Sequence, residues 1–172
     1  METRPLGSTG LPVTPVGLGT WNMSSGWGEY TDEECRDAVR TALDAGIDFV
    51  DTADVYRGGE AEARVGDVLA ERDDDPVVAT KAGRRVDGSG TRGYDYESLA
   101  GFAADSAEKL GVETLDLLQL HCPPTEIFYT SEVFDVLADL RADGYVDHYG
   151  VSVELVEQAR KAIEYPGVET VQ

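Results

Sequence analysis

Four ionisable side chains stand at or just beyond the ends of short β-rich runs: Asp51, Tyr56, Lys81 and His121. A carboxylate, a phenol, an ammonium and an imidazole hold and move protons, so their meeting in one place would supply acid–base chemistry. Singly, each has an ordinary explanation. A lysine closing a strand is commonly a solvated end group, and a histidine just ahead of Pro123-Pro124 is commonly a satisfied loop residue. What would bring the four together is a fold whose strand ends all point to one face, and in a (β/α)₈ barrel active sites form on that face.

The elements able to do this positioning are legible. The strand candidates Val16 to Gly19, Ile47 to Thr52, Pro76 to Lys81, Leu115 to His121, Val146 to Ser152 and Val168 to Gln172 alternate with amphipathic helical patterns. Such alternation is the signature of βα units and a parallel sheet. Asp51 then ends the second strand, Tyr56 lies in the loop after it, Lys81 closes the third and His121 the fourth.

Helix ends are also readable. Thr31-Asp32-Glu33-Glu34 matches a capping box, with Cys35, Ala38, Val39, Ala42 and Leu43 on one face and Gly46 just past the end. Asp95 can cap a helix that stops at Gly111, and Ser131 and Gly144 bracket another. Weaker patterns cover Glu60 to Glu71 and Glu154 to Glu164. Ahead of the first strand, Arg4-Pro5-Leu6 and Val13-Thr14-Pro15 flank the turn residues Gly7 to Gly10, a β-hairpin able to plug one end of a barrel. The loop Gly83 to Gly93 is rich in Gly and Arg and is expected to be mobile, with Arg84, Arg85 and Arg92 read as solvated rather than anion-binding.

A complete (β/α)₈ barrel takes about 250 residues. The expectation is therefore a TIM-barrel type fold that is incomplete, the hairpin plus six of eight βα units, forming one domain over residues 1–172. An open doubly wound sheet also fits the alternation. No G-x-G-x-x-G follows the first strand, however, where Gly17-Leu18-Gly19-Thr20-Trp21 stands.

Composition narrows the partners. With 34 Asp plus Glu against 14 Lys plus Arg, the formal net charge is −20. That surface repels nucleic acid and anionic lipid, and three lysines among so many acids resemble adaptation to a salt-rich cytoplasm, a halophile's pattern. No run is long and apolar enough to span a membrane and the N-terminus lacks signal-peptide character, so a cytoplasmic location is expected. Cys35 and Cys122 form neither a C-x-x-C pair nor a Cys/His ligand spacing, so neither a disulfide nor a metal site is expected. His148 falls on the fifth strand with no evident partner.

Asp51-Thr52-Ala53-Asp54-Val55-Tyr56, Glu62 with Gly66, Ala79-Thr80-Lys81, Asp116-Leu117-Leu118-Gln119-Leu120-His121 and Gly150-Val151-Ser152 resemble successive motifs of the aldo-keto reductases, in that family's order. The resemblance implies reduction of a small carbonyl substrate by NADPH. It implies Tyr56 as general acid, Lys81 favouring the phenolate by opposite charge, Asp51 holding Lys81, and His121 orienting the carbonyl. It further implies that Ser152 and Gln172 bind the nicotinamide carboxamide, and that Trp21 with the backbone of Gly19 and Thr20 borders the nicotinamide and substrate mouth beside Asp51. The family often has Asn after the serine, where this chain has Val153. In the family the segment after the sixth strand supplies the aromatic that stacks on the nicotinamide and the basic residues that grip the 2′-phosphate. Two readings follow: a catalytic carbonyl reductase, or a truncated, non-catalytic chain or binding subunit; in either case the chain by itself is expected to self-associate through its open barrel edges.

Overall fold

The computed structural model describes residues 2–23, 30–85 and 91–172. Its first strands, β1 (Arg4–Pro5) and β2 (Pro12–Val13), pair antiparallel as the expected hairpin. The rest is a six-stranded parallel sheet in sequential order, β3 (Leu18–Gly19), β4 (Phe49–Asp51), β5 (Val77–Ala82), β6 (Leu115–His121), β7 (Val146–Ser152) and β8 (Val168–Val171). Sequential order with parallel pairing is barrel topology, and here it makes up part of a (β/α)₈ barrel.

Among the described residues five α-helices intervene: α1 (Asp32–Asp44), α2 (Glu60–Leu69), α3 (Tyr96–Leu110), α4 (Ser131–Ala142) and α5 (Val156–Ala162). Their ends obey local chemistry. The Thr31 hydroxyl accepts from the Glu34 amide while the Glu34 carboxylate accepts from the Thr31 amide, closing the capping box. Asp95 accepts from Ser98 N–H at 3.0 Å, and Gly111 ends α3 at φ 75°. At the start of α5 the buried Gln158 accepts from the amides of both Glu154 and Leu155. Helices α2 and α3 touch at Gly66, where a Cβ would lie 2.2 Å from the carbonyl oxygen of Lys109, so only glycine allows this approach.

Strand alternation divides the side chains. Val78 and Ala82 of β5, Leu118 and Leu120 of β6, and Tyr149 and Val151 of β7 join the core between sheet and helices. The intervening residues, Lys81, Gln119, His121 and Ser152, therefore share the opposite, inner face. There Gly150 leaves room for Thr170 to reach Gln119 across β7, at 3.4 Å. The hairpin ties the near and far sides of the half-barrel together, Thr14 bonding with Asp48 ahead of β4 and the Ser8 amide donating to the Glu169 carbonyl of β8 at 2.9 Å.

Three expectations need correction. The first strand is shorter than Val16 to Gly19, because Val16 is 60 % exposed and only Leu18 and Gly19 find partners on β4. His148 does have a partner, since β8 brings the Glu169 carboxylate to 2.9 Å from Nδ1. Arg85 is not a solvated loop residue but is held by two carboxylates, Asp54 and Asp105. The middle of the loop expected to be mobile, 86–90, lies outside the described residues. Among the described residues no helix is long and apolar enough to cross a membrane.

Candidate active site

The centre of the site is a buried ammonium. Lys81 is 1 % exposed, on the inner face of β5, and its Nζ lies 2.8 Å from each carboxylate oxygen of Asp51. The same Nζ donates to the Thr52 carbonyl at 2.8 Å and approaches the Tyr56 hydroxyl at 3.4 Å. A buried lysine is tolerated only when paired and hydrogen-bonded, and this one is. Parallel register explains the convergence: Asp51 pairs with Ala79 two residues before Lys81, Lys81 with Gln119 two before His121, and His121 with Ser152.

Tyr56 starts a short 3₁₀ turn (Tyr56–Gly59) beyond β4, and its ring meets the His121 ring edge-on, centroids 5.7 Å apart. The cleft that results has a volume of about 730 Å³ and is lined by Trp21, Val55, Tyr56, Arg57, Gly58, Arg84, His121, Cys122 and Ser152. Two of these, Arg57 (φ 51°) and Cys122 (φ 45°), are the non-glycine residues at positive φ among the described residues. Strained backbone concentrates at functional clefts, and here both instances fall on one.

Electrostatics in the cleft follow from burial. His121 is pushed down to about 4, first by burial and then by the Lys81 and Arg84 charges, so its imidazole is neutral near pH 7. Its Nδ1 is buried without a partner among the described residues, leaving Nε2 as the nitrogen available to the cleft. The Tyr56 phenol is pushed up to about 12 by burial, then by the Asp51 carboxylate. This is opposite to the effect expected of Lys81. The carboxylate that holds Lys81 also cancels its charge as seen from the phenol, and the phenol keeps its proton.

Of the residues singled out in the sequence, Asp51, Tyr56, Lys81 and His121 come together, with Trp21 and Ser152 on the same cleft. Ser152 Oγ lies 3.4 Å from Cys122 Sγ. The Thr20 amide donates to the Asp51 carbonyl at 2.9 Å and its hydroxyl to Thr52 Oγ1 at 2.9 Å, so both are committed to the fold. Gly19 ends β3, and Gln172 continues the pairing with β7 through its main chain, its side chain exposed and outside the cleft lining.

Sequence reasoning missed a buried polar layer behind the site, on the outer side of β5. Thr80 Oγ1 donates to Glu62 at 2.5 Å, and Arg85 pairs with Asp54 at 2.9 Å and with Asp105, which also holds Lys109 at 2.8 Å. Burial pushes Asp54 up to about 6 and also raises Glu62. Glu62 was visible as a motif residue; its pairing with Thr80 carries no sequence signature.

The profile of the Aldo/keto reductase family matches residues 15–172. The chain is 35% identical over 158 residues to the 6-dehydroglucose reductase of Novosphingobium aromaticivorans, covering 87% of this chain and 50% of the relative. It is 28% identical over 189 residues to the NADH-specific methylglyoxal reductase of Escherichia coli, covering 100% of this chain and 58% of the relative. Among solved structures, the glycerol dehydrogenase of Gluconobacter oxydans superposes with a TM-score of 0.80 at 31% identity, over 99% of this chain and 54% of that one. This chain belongs to the aldo/keto reductase family. It spans about half the length of the curated relatives it matches.

Proposed function

We propose that this chain carries the catalytic centre of a reductase that converts aldehydes or ketones to alcohols by hydride transfer from NADPH, with Tyr56 as the general acid. The observation that carries the reading is the Lys81 ammonium, buried and bound at 2.8 Å to both Asp51 oxygens while 3.4 Å from the Tyr56 hydroxyl. When bound, NADPH supplies the hydride. Tyr56, still protonated at neutral pH, gives its proton to the carbonyl oxygen as negative charge develops there. Lys81 then stands beside the phenolate oxygen that remains. His121 donates a hydrogen bond from Nε2 to the same carbonyl oxygen, which fixes its orientation and stabilises the charge.

The residues present suit the nicotinamide end of such a cofactor. Among the described residues the Ser152 hydroxyl has only a weak thiol partner, leaving capacity for a carboxamide, and the exposed Trp21 offers a broad apolar wall. NADPH rather than NADH rests on the family resemblance, and the name of the Escherichia coli relative makes NADH the comparison cofactor. The second reading is a non-catalytic chain that keeps the four residues without gripping the cofactor.

A panel of aliphatic aldehydes, aromatic aldehydes and quinones, followed by nicotinamide absorbance, separates the two. The protein assayed includes any residues its reading frame adds after Gln172. Turnover is expected, and Tyr56→Phe should reduce it by about 10²–10⁴-fold, the range of a positioned proton donor. No turnover with any carbonyl compound supports the non-catalytic reading, and an unchanged rate in Tyr56→Phe removes Tyr56 from the mechanism.

A further inference from the structure

The cleft carries a charge opposite to that of the molecule. The chain has 34 acidic against 14 basic residues, yet among the described residues the cleft lining contains two arginines, Arg57 and Arg84, and no carboxylate. The two differ in what neutralises them. Arg57 Nε lies 2.8 Å from Glu60, whereas the exposed Arg84 has no acidic partner among the described residues.

Arg84 is held at the cleft by its neighbours. Gly83, at φ 105°, sits so close to Tyr94 that a Cβ would lie 2.7 Å from a ring carbon. Arg85, on the other side, turns into the buried layer: it pairs with Asp54 and Asp105, and its guanidinium lies 5.4 Å from the centre of the Phe102 ring. Between these two flanks the exposed Arg84 lines the cleft. Its charge reaches the catalytic pair, lowering the proton affinity of both His121 and Tyr56.

We infer that the substrate of this cleft carries a carboxylate in addition to its carbonyl, and that Arg84 binds that carboxylate while the carbonyl meets Tyr56 and His121. This deepens the reductase reading and rests on it. A guanidinium presents a planar fork of donors that matches a carboxylate in two parallel hydrogen bonds. The chain as a whole carries a net charge of −20, so an arginine with no acidic partner among the described residues, placed on the same cleft as Tyr56 and His121, supplies both attraction and orientation for an anion. A cleft of about 730 Å³ holds a small aldehyde acid spanning the two ends.

The test compares 4-carboxybenzaldehyde with methyl 4-formylbenzoate, which share ring and carbonyl and differ in charge, at the lowest salt that keeps the protein folded. The ratio of kcat/KM, acid over ester, should fall about fivefold in Arg84→Gln, the equivalent of about 1 kcal/mol for an exposed ion pair. It should fall further in Arg84→Glu and recover in part in Arg84→Lys. An unchanged ratio in Arg84→Gln overturns the assignment. If neither aldehyde is reduced, the reductase reading has failed, and saturation-transfer NMR then decides on binding alone. Acid binding that exceeds ester binding and is lost in Arg84→Gln supports the carboxylate site; equal binding of acid and ester overturns it.

Discussion

Replacing Lys81 with Met keeps the length of the side chain and removes its charge, which isolates what the ion pair contributes. Lys81 is 1 % exposed and its partner Asp51 has a side chain 20 % exposed. Breaking a fully buried pair from one side costs about 3–5 kcal/mol, because the remaining charge is left uncompensated. Water reaches part of the Asp51 carboxylate, which lowers that figure, while the stranded Thr52 carbonyl adds about 1 kcal/mol. The sum is roughly 3 kcal/mol, which for a domain of this size lowers Tm by roughly 6–12 °C. Asp51→Leu combined with Lys81→Met removes both charges, so the pair of substitutions should cost less than the sum of the singles by about 1–3 kcal/mol. Urea denaturation followed by far-ultraviolet circular dichroism on wild type, both single variants and the double variant measures this, and it needs no cofactor. A Lys81→Met protein with an unchanged midpoint and slope, or a cycle additive to within about 0.5 kcal/mol, would show that the pair is not formed in solution.

Asp54 should make the fold sensitive to pH in the acidic range. Its folded pKa of about 6 lies above the ordinary 3.8, so its contribution is fully present below about 3.8 and is lost as pH rises through about 6. Asp54→Asn should therefore relieve a burden on the order of 3 kcal/mol at pH 7.5 and much less at pH 4.5; calorimetry showing no gain, or the same gain at both values, contradicts this. Folding is expected to require molar salt: 34 acids face 14 Lys and Arg, and Arg40 already holds three carboxylates and Arg72 two, so cations are too few to offset the acidic charge. Circular dichroism during dialysis from molar KCl into dilute buffer checks this, since the Debye length grows from about 3 Å to about 30 Å, and a fold that persists in dilute buffer counts against it. Strands β3 and β8 each have one parallel neighbour, so the 172-residue chain should associate through those edges. Light scattering after size-exclusion chromatography that finds a monodisperse monomer would refute that.

What the sequence determined by itself is what depends on neighbours along the chain. The Thr31 and Glu34 capping box, the Asp95 cap, the Gly111 stop and the order of strands and helices all follow from the local hydrogen bonds and turns that these residue types favour. The convergence of Asp51, Tyr56, Lys81 and His121 was legible too, since strand alternation and a common direction suffice to place strand ends together. Only the tertiary structure decided how those groups behave. Lys81 was expected to draw the proton off Tyr56, but its charge is taken up by Asp51, and burial raises the phenol instead. Arg84 and Arg85 are identical neighbours in the sequence, yet one lines the cleft and the other is held between Asp54 and Asp105. His148 gains Glu169, and Thr80 gains Glu62, from 21 and 18 residues away. Proton affinity and ion pairing depend on distance and on exclusion of water, and both are set only when strands far apart in the sequence close against each other.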